Sequence, residues 1–218
     1  MSSKIRQKEM LYQTETYIKQ LFKDEGSGHD WWHISRVRTL ALKISEQEGG
    51  NIFIIEMAAL LHDLDDWKLV DQNDKNKTEA WLKKMNISMR ESQQILEIIA
   101  QVSFKGADVK TKATSLEAQM VQDADRLDAI GAIGIARTFA YGGNKGRLMY
   151  NPEIKPEMHD NFEAYKKNTA PTINHFYEKL LLLKELMNTK TARKIAENRH
   201  RIMENFLLQF FNEWESKI

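Results

Sequence analysis

The sequence predicts an all-α protein, and two observations support this fold class. The chain of 218 residues has only three prolines, Pro152, Pro156 and Pro171, all within one segment. Because a proline inside a helix removes a backbone hydrogen bond, the rest of the chain carries none of these helix breakers. Apolar residues recur at the three- and four-residue spacing of amphipathic helices, without the alternation of β-strands. We therefore expect a compact bundle of helices that forms one domain over residues 1–218.

The composition limits which partners and compartments fit this chain. The 32 basic and 31 acidic residues leave a net charge of +1, so no overall field attracts nucleic acid or a membrane surface. The absence of cysteine excludes disulfides, iron–sulfur clusters and thiolate zinc sites. No apolar run approaches the roughly 20 residues of a membrane span, and the N-terminus lacks the apolar core of a signal peptide. We expect a cytoplasmic protein without nucleic-acid or membrane partners.

Glycines and capping residues predict the bounds of the first three helices. The first helix covers about residues 4–24 and ends before a Gly-Ser-Gly sequence. The second covers residues 31–48 and ends at Gly49, which is followed by another glycine. Asn51 can cap the third helix, whose apolar residues cover nearly its whole circumference. This third helix is therefore predicted to be buried at the centre of the protein.

Five further helices are predicted, over residues 78–85, 88–102, 115–141, 172–187 and 189–214. The helix over 115–141 carries small residues on a second face, so it is predicted to be buried on two sides, and its glycines Gly131 and Gly134 are compatible with a bend. Gly142 and Gly143 are expected to end it. The core covers about residues 25–141, and the helices of residues 172–218 are expected to pack on it. Residues 142–171 hold the prolines and form either a lid or a solvated connection.

The end of the buried third helix carries an unusual concentration of ionisable residues. His62, Asp63, Asp65 and Asp66 lie within five positions, directly after the apolar sequence Ala-Ala-Leu-Leu. Such groups are rarely buried unless they are paired or bind a metal. This cluster therefore requires partners from other helices.

Two helices can supply those partners. His33 shares the apolar face of the second helix, and Asp125 lies at the centre of the alanine-rich face of the helix over 115–141. Together with His62 and Asp63 they form a set of two imidazoles and two carboxylates, which suits Mn²⁺, Mg²⁺, Co²⁺, Ni²⁺ or Fe²⁺, while zinc also accepts such ligands. From the helix faces alone Asp123 competes with Asp125. An octahedral ion with four protein ligands keeps two positions for water and a phosphate oxygen.

The arrangement of these residues resembles a known family. His33 in His-Ile-Ser-Arg-Val, the pair His62-Asp63, and Asp125 in Ala-Asp-Arg-Leu-Asp resemble the H…HD…D pattern of the HD-domain phosphohydrolase superfamily. The resemblance covers about residues 25–141, and the remainder is similar to a small bacterial subfamily associated with nucleotide pyrophosphate hydrolysis. It implies an all-α fold, one divalent metal, for which we favour Mn²⁺, and hydrolysis of phosphate esters or anhydrides.

The resemblance also narrows the choice of the fourth ligand. The Ala-Asp-Arg/Lys motif of the family selects Asp125, which leaves Asp123 and Asp128 as groups that support the ligands from behind. Asp66 matches an acidic position that some superfamily members use near the attacking water, so it is predicted to act as a general base or to orient that water. Asp65 competes for the same role, and the helical spacing from His62 favours Asp66.

Cationic and aromatic residues are predicted to contact the substrate. Arg36 lies one turn after His33 and is suited to bidentate phosphate contacts, or equally to a surface salt bridge. Lys105, in a loop beside Gly106, is expected to contact a phosphate, as the resemblance to the subfamily also suggests. Tyr141 is expected either to stack on a base or to pack in the core. His175 and Lys179 share one face after the proline-rich segment and are expected to line the substrate side.

The predicted activity is the hydrolysis of a nucleoside triphosphate to a monophosphate and pyrophosphate. A phosphomonoesterase acting on nucleoside monophosphates is the nearest enzymatic alternative. A module that senses nucleotide or metal without hydrolysis is the alternative from another class. A nucleic-acid-binding role is disfavoured because the charge is balanced and no basic stripe is present.

Overall fold

The structure, a computed structural model, describes residues 3–23, 30–65, 76–102, 112–158 and 169–217. Every regular element in these ranges is a helix, which confirms the predicted all-α class. None of the described helices combines the length and the apolar character that a membrane span requires. The helices are α1 Ser3–Leu21, α2 Trp31–Glu48, α3 Ile52–Leu61, α4 Lys77–Lys84, α5 Met89–Val102, α6 Leu116–Asp128, α7 Gly131–Asn144, α8 Asn174–Glu178, a 3-10 helix Leu180–Leu186 and α9 Lys190–Trp214.

The contacts divide the described residues into two units. The first unit contains α1 to α5 and the part of α6 that ends at Ala124. In this unit α3 packs against α1, α2 and α5, and α4 packs against α5. The second unit begins at Asp125 and contains the end of α6, α7, α8, the 3-10 helix and α9. In this unit α9 packs against α7 and the 3-10 helix. The interpretation of residues 1–218 as one domain stays a prediction.

Helix α3 has the buried position that its sequence predicts. Every residue from Phe53 to Leu61 is buried, and the Asn51 side chain caps the helix by accepting hydrogen bonds from the backbone N–H groups of Phe53 and Ile54. Its one charged residue, Glu56, is 9% exposed. Because α3 is enclosed along its length, the residues at its C-terminal end are delivered into the interior of the first unit.

Arg38 of α2 neutralises Glu56. Its Nε lies 2.8 Å from Glu56 Oε1, and its Nη1 lies 2.8 Å from Glu15 Oε2 of α1. Burial by itself lowers the pKa of the guanidinium, but the hydrogen bonds and negative charges of Glu56 and Glu15 outweigh it, so this pKa lies above its ordinary value. The three side chains join α1, α2 and α3 by charge-assisted hydrogen bonds.

The predicted helix over 115–141 is wrong in two respects. It is interrupted after Asp128, because Ile130 is extended and Gly131 has a φ of +76°, so α6 and α7 are separate helices. In addition, α7 continues through Gly142 to Asn144. A Cβ at Gly142 would lie 2.2 Å from Thr172 Oγ1, so this glycine permits close packing instead of ending the helix.

The predicted helix over 172–187 is also wrong. The α-helix covers only Asn174–Glu178 and is followed by a 3-10 helix, because Lys179 between them has non-helical backbone angles. Described residues of the predicted loop 142–171 are hydrogen-bonded to the start of this region, near α8. The Thr172 N–H donates to the Leu148 carbonyl over 2.9 Å, and the Asn174 side chain donates to the Ile154 carbonyl over 3.0 Å. A role of residues 142–171 as a lid stays a prediction.

Candidate metal centre

Three side chains predicted to bind a metal meet inside the first unit. His33 Nε2 lies 3.3 Å from Asp63 Oδ2, and His62 Nε2 lies 3.5 Å from Asp63 Oδ1. The two Nε2 atoms are 3.3 Å apart. The exposed fractions of His33, His62 and Asp63 are 0%, 4% and 4%. One ligand atom from each residue lies within 4.8 Å of the others, which is a grouping that could hold a metal ion.

The N-terminus of α2 places His33 in this cluster. Asp30 is the N-cap, and its Oδ1 accepts the backbone N–H of His33 over 2.8 Å. This capping bond fixes the first turn of α2 and the helical register that turns His33 inward together with Val37 and Ile44, which are fully buried. A sequence signal for Asp30 exists, because an aspartate directly before the first apolar residue of a helix is a common N-cap.

The C-terminal end of α3 places His62 and fixes its tautomer. His62 follows the last residue of α3 with helical backbone angles, and its Nδ1 lies 2.8 Å from the Ala59 carbonyl oxygen. Because a carbonyl can only accept a hydrogen bond, Nδ1 carries a proton, and Nε2 of the neutral ring presents a lone pair. A backbone carbonyl behind the ring is a common support for a metal-binding histidine. Sequence reasoning did not identify this contact.

The donor set fits a divalent cation. The Nε2 lone pair of His62 faces an oxygen of Asp63, and an ionised carboxylate is likewise only an acceptor. Contact between these two acceptors is unfavourable unless a proton or a cation lies between them. Metal–nitrogen bonds of about 2.0–2.1 Å, with angles between octahedral and tetrahedral values, separate neighbouring ligand atoms by about 2.9–3.4 Å. The spacings of 3.3 Å and 3.5 Å in the cluster are close to this range. Imidazole with carboxylate suits several divalent metals.

The fourth predicted ligand belongs to the second unit. Asp125 is half-buried on the last turn of α6, and its competitor Asp123 is fully buried on the part of α6 in the first unit. The choice of Asp125 stays a prediction. Asp128 is also buried, and its Oδ2 accepts a hydrogen bond of 2.8 Å from Arg137 of α7.

The predicted catalytic residues Asp66 and Lys105 lie outside the described residues, so their roles stay predictions. Asp65, the competitor of Asp66, has a structural contact that the sequence did not reveal. Its two carboxylate oxygens accept the backbone N–H groups of Lys77 and Thr78 over 2.9 Å and 3.1 Å, which caps the start of α4. Arg36 is half-buried on α2, one turn after His33, and its phosphate contact stays a prediction.

The residues predicted to bind substrate lie in the second unit. The Tyr141 ring is half-buried, with Lys145 Nζ 5.7 Å and Arg147 Cζ 5.6 Å from its centroid. Sequence reasoning missed both cations, although they follow Tyr141 within six residues. His175 and Lys179 are half-buried and lie one turn apart, with the Lys179 N–H donating to the His175 carbonyl over 3.1 Å. Their contact with substrate stays a prediction.

Comparisons with known proteins identify the family. The sequence model of the HD domain matches residues 31–130, which include all four predicted metal ligands. YpgQ of Bacillus subtilis (strain 168) is 42% identical over 209 residues, which cover 94% of this chain and 92% of YpgQ. A crystal structure of Bacillus subtilis YpgQ in complex with ADP has a TM-score of 0.74 at 36% identity, covering 93% of this chain and 97% of that chain.

Two further crystal structures are similar over nearly the whole chain. An HD-superfamily hydrolase from Bacillus thuringiensis has a TM-score of 0.74 at 49% identity, covering 97% of this chain and 100% of that chain. A protein from Lactobacillus plantarum has a TM-score of 0.88 at 37% identity and covers 100% of both chains. With the motif, the buried histidine and aspartate cluster and these relatives in agreement, the chain belongs to the HD domain family of metal-dependent phosphohydrolases.

Proposed function

We propose that this protein hydrolyses nucleoside triphosphates to the monophosphate and pyrophosphate. The observation that carries the proposal is the buried cluster of His33, His62 and Asp63, whose spacing and donor types suit a divalent metal. The ADP bound by Bacillus subtilis YpgQ supports a nucleotide as the ligand of this chain. Release of pyrophosphate rests on the sequence resemblance to the pyrophosphate-hydrolysing subfamily.

In this proposal the metal is held by His33, His62, Asp63 and Asp125. Asp125 is included because it matches the Ala-Asp-Arg/Lys motif of the family. When bound, a divalent metal supplies polarisation of a phosphoryl oxygen and a more acidic water. Manganese is the favoured ion, and the donor set is equally compatible with Mg²⁺, Co²⁺, Ni²⁺ or Fe²⁺. Burial of the three described ligands lowers the local dielectric, which strengthens their interaction with cationic or polar groups of the reaction.

The remaining proposed roles belong to charged residues around the ligands. Asp66 accepts a proton from the attacking water and orients it, while Asp65 is already bonded to the start of α4. Arg36 and Lys105 neutralise the phosphate oxygens, because a triphosphate brings more negative charge than the metal alone offsets. Tyr141, His175 and Lys179 are proposed to contact the rest of the nucleotide.

The test is a product analysis of the full chain after metal removal with a chelator. Nucleoside mono-, di- and triphosphates are each incubated with Mn²⁺, Mg²⁺, Co²⁺ or Ni²⁺, and phosphate is resolved from pyrophosphate. We expect pyrophosphate from triphosphates, with no turnover in the metal-free protein or in His33→Ala. Phosphate from monophosphates would instead support the phosphomonoesterase. Retention of nucleotide and Mn²⁺ with no product would support the sensor.

A matched pair of variants tests the role of the acidic residues. Asp66→Asn and Asp65→Asn remove the same charge from neighbouring positions. We expect Asp66→Asn to lower kcat by a factor of about 10²–10⁴, the usual contribution of a general base. Asp65→Asn is expected to lower thermal stability with a much smaller effect on kcat. The opposite pattern would assign the water to Asp65.

A further inference from the structure

The last turn of α6 carries the sequence Asp-Arg-Leu-Asp, and its backbone is held by an arginine from a distant helix. The final carbonyl groups of a helix lack partners within the helix and need others. The Leu127 carbonyl accepts a hydrogen bond of 3.2 Å from the Ile130 backbone N–H and a second of 2.5 Å from Arg199 Nη1 on α9. Leu127 follows Asp125 by two residues, so this bond fixes the turn from which the Asp125 side chain projects. The positive guanidinium also matches the negative end of the helix dipole.

Gly131 determines how closely α9 approaches this turn. It has a φ of +76°, and a Cβ at this position would lie 2.9 Å from both Cβ and Cγ of Arg199. The stem of Arg199 therefore passes directly over the glycine at which α7 begins. A residue with a side chain at position 131 would displace this stem and with it the guanidinium.

Two more arginine contacts join the same turn to other elements. The Arg126 guanidinium donates to the Leu186 carbonyl of the 3-10 helix, and Arg137 of α7 forms an ion pair of 2.8 Å with Asp128. Arg126 and Asp128 are 6% and 1% exposed. Each of the three residues that follow Asp125 in this motif is thus bonded to a different element of the second unit.

We propose that Arg199 is a positioning residue for Asp125, so that α9 contributes to metal affinity as well as to stability. The inference rests on the proposed function in one respect, since it takes Asp125 as a metal ligand. Residues that support metal ligands from behind change metal affinity by about 10–100-fold when they are removed. Loss of the Arg199 bond removes one of the bonds that hold the last turn of α6 to its neighbours, and a ligand that is held less precisely before binding weakens the complex.

The test measures binding of Mn²⁺ alone to the metal-stripped full chain by titration calorimetry, without nucleotide. Arg199→Met keeps the aliphatic stem over Gly131 and removes the guanidinium. Arg201→Met removes the same charge from an exposed position on the same helix and is the matched control. We expect at least tenfold weaker Mn²⁺ binding in Arg199→Met, an unchanged affinity in Arg201→Met and partial recovery in Arg199→Lys. Equal Mn²⁺ affinity in Arg199→Met and the wild type would overturn the proposal.

A double-mutant cycle with Asp125→Asn separates positioning from general stability. If Arg199 acts through Asp125, Arg199→Met has no further effect on Mn²⁺ affinity in the Asp125→Asn background. A loss that is the same in both backgrounds would refute the proposal. If Arg199→Met does not fold without metal, the cycle is run with Arg199→Lys. Pyrophosphate release by the wild type is measured separately. A wild type that binds Mn²⁺ without hydrolysis would contradict the proposed function, and the result of the double-mutant cycle could still be interpreted.

Discussion

Replacing Asp63 by asparagine is expected to separate metal binding from folding. The two oxygens of Asp63 lie 3.3 Å from His33 Nε2 and 3.5 Å from His62 Nε2. The asparagine amide has nearly the same shape, and its NH₂ group can donate to the lone pair that His62 presents. The metal-free variant should therefore unfold at a temperature close to that of the wild type. The substitution removes the anionic metal ligand of this cluster, so the affinity for the metal should fall.

The size of the effect follows from linkage between binding and unfolding. A metal present at 100 times its Kd stabilises the folded state by about 2.7 kcal/mol. For a chain of this size 1 kcal/mol changes Tm by roughly 2–4 °C, so the wild type should gain about 5–11 °C. At the same metal concentration, a 100-fold loss of affinity leaves about 0.4 kcal/mol, which corresponds to a gain of about 1–2 °C.

The assay is thermal unfolding of the chelator-treated protein with and without Mn²⁺, and Asp65→Asn is the control. Asparagine keeps one acceptor oxygen, so it loses one of the two hydrogen bonds that cap α4, a loss of about 1 kcal/mol. Asp65→Asn should lower the metal-free Tm by a few degrees, roughly as that free energy implies, and keep the Mn²⁺-induced gain. If Asp63→Asn keeps the full gain in Tm, the cluster is not the metal site.

Two further predictions concern stability, measured by urea unfolding. Gly142→Ala should destabilise the protein by about 1–3 kcal/mol, because its Cβ would lie 2.2 Å from Thr172 Oγ1. Gly143→Ala on the same helix has no atom within 4 Å and should stabilise it by about 0.5–1 kcal/mol, so equal effects would contradict the packing role. Arg38→Met should cost up to about 3 kcal/mol by leaving the Glu56 charge unpaired, and adding Glu56→Gln should recover part of that loss. No recovery in the double variant would show that packing, not charge, dominates.

The parts of the fold that depend on local sequence could be predicted. The bounds of α2 were predicted correctly because Gly49 adopts a φ of +87°, which favours glycine and ends the helix. Asn51 was predicted as the cap of α3 from its side-chain chemistry alone. The meeting of His33 with the end of α3 was predictable because buried ionisable groups need partners. The helical periodicity predicted that His33 faces inward, and the cost of burying unpaired ionisable groups predicted its contact with His62 and Asp63.

Features set by tertiary contacts were not predictable in the same way. Gly142 was interpreted as a helix stop, but the close approach of Thr172 explains it. The use of Asp65 as a cap depends on the start of α4, which lies twelve residues further along the chain. The break at Lys179 has non-helical angles that no local residue signal indicated. A glycine can end a helix or permit close packing, and an aspartate can act in catalysis or cap a helix. Only the tertiary contacts decide between these roles.

The tautomer of His62 links the buried cluster to the stability of the protein. Because Nδ1 donates to the Ala59 carbonyl, the neutral ring presents its Nε2 lone pair to the carboxylate of Asp63. Two acceptors this close, in a region with little solvent to screen them, are unfavourable unless a proton or a cation lies between them. A divalent cation bound by both groups would remove this unfavourable contact, so metal binding and folding are thermodynamically coupled here.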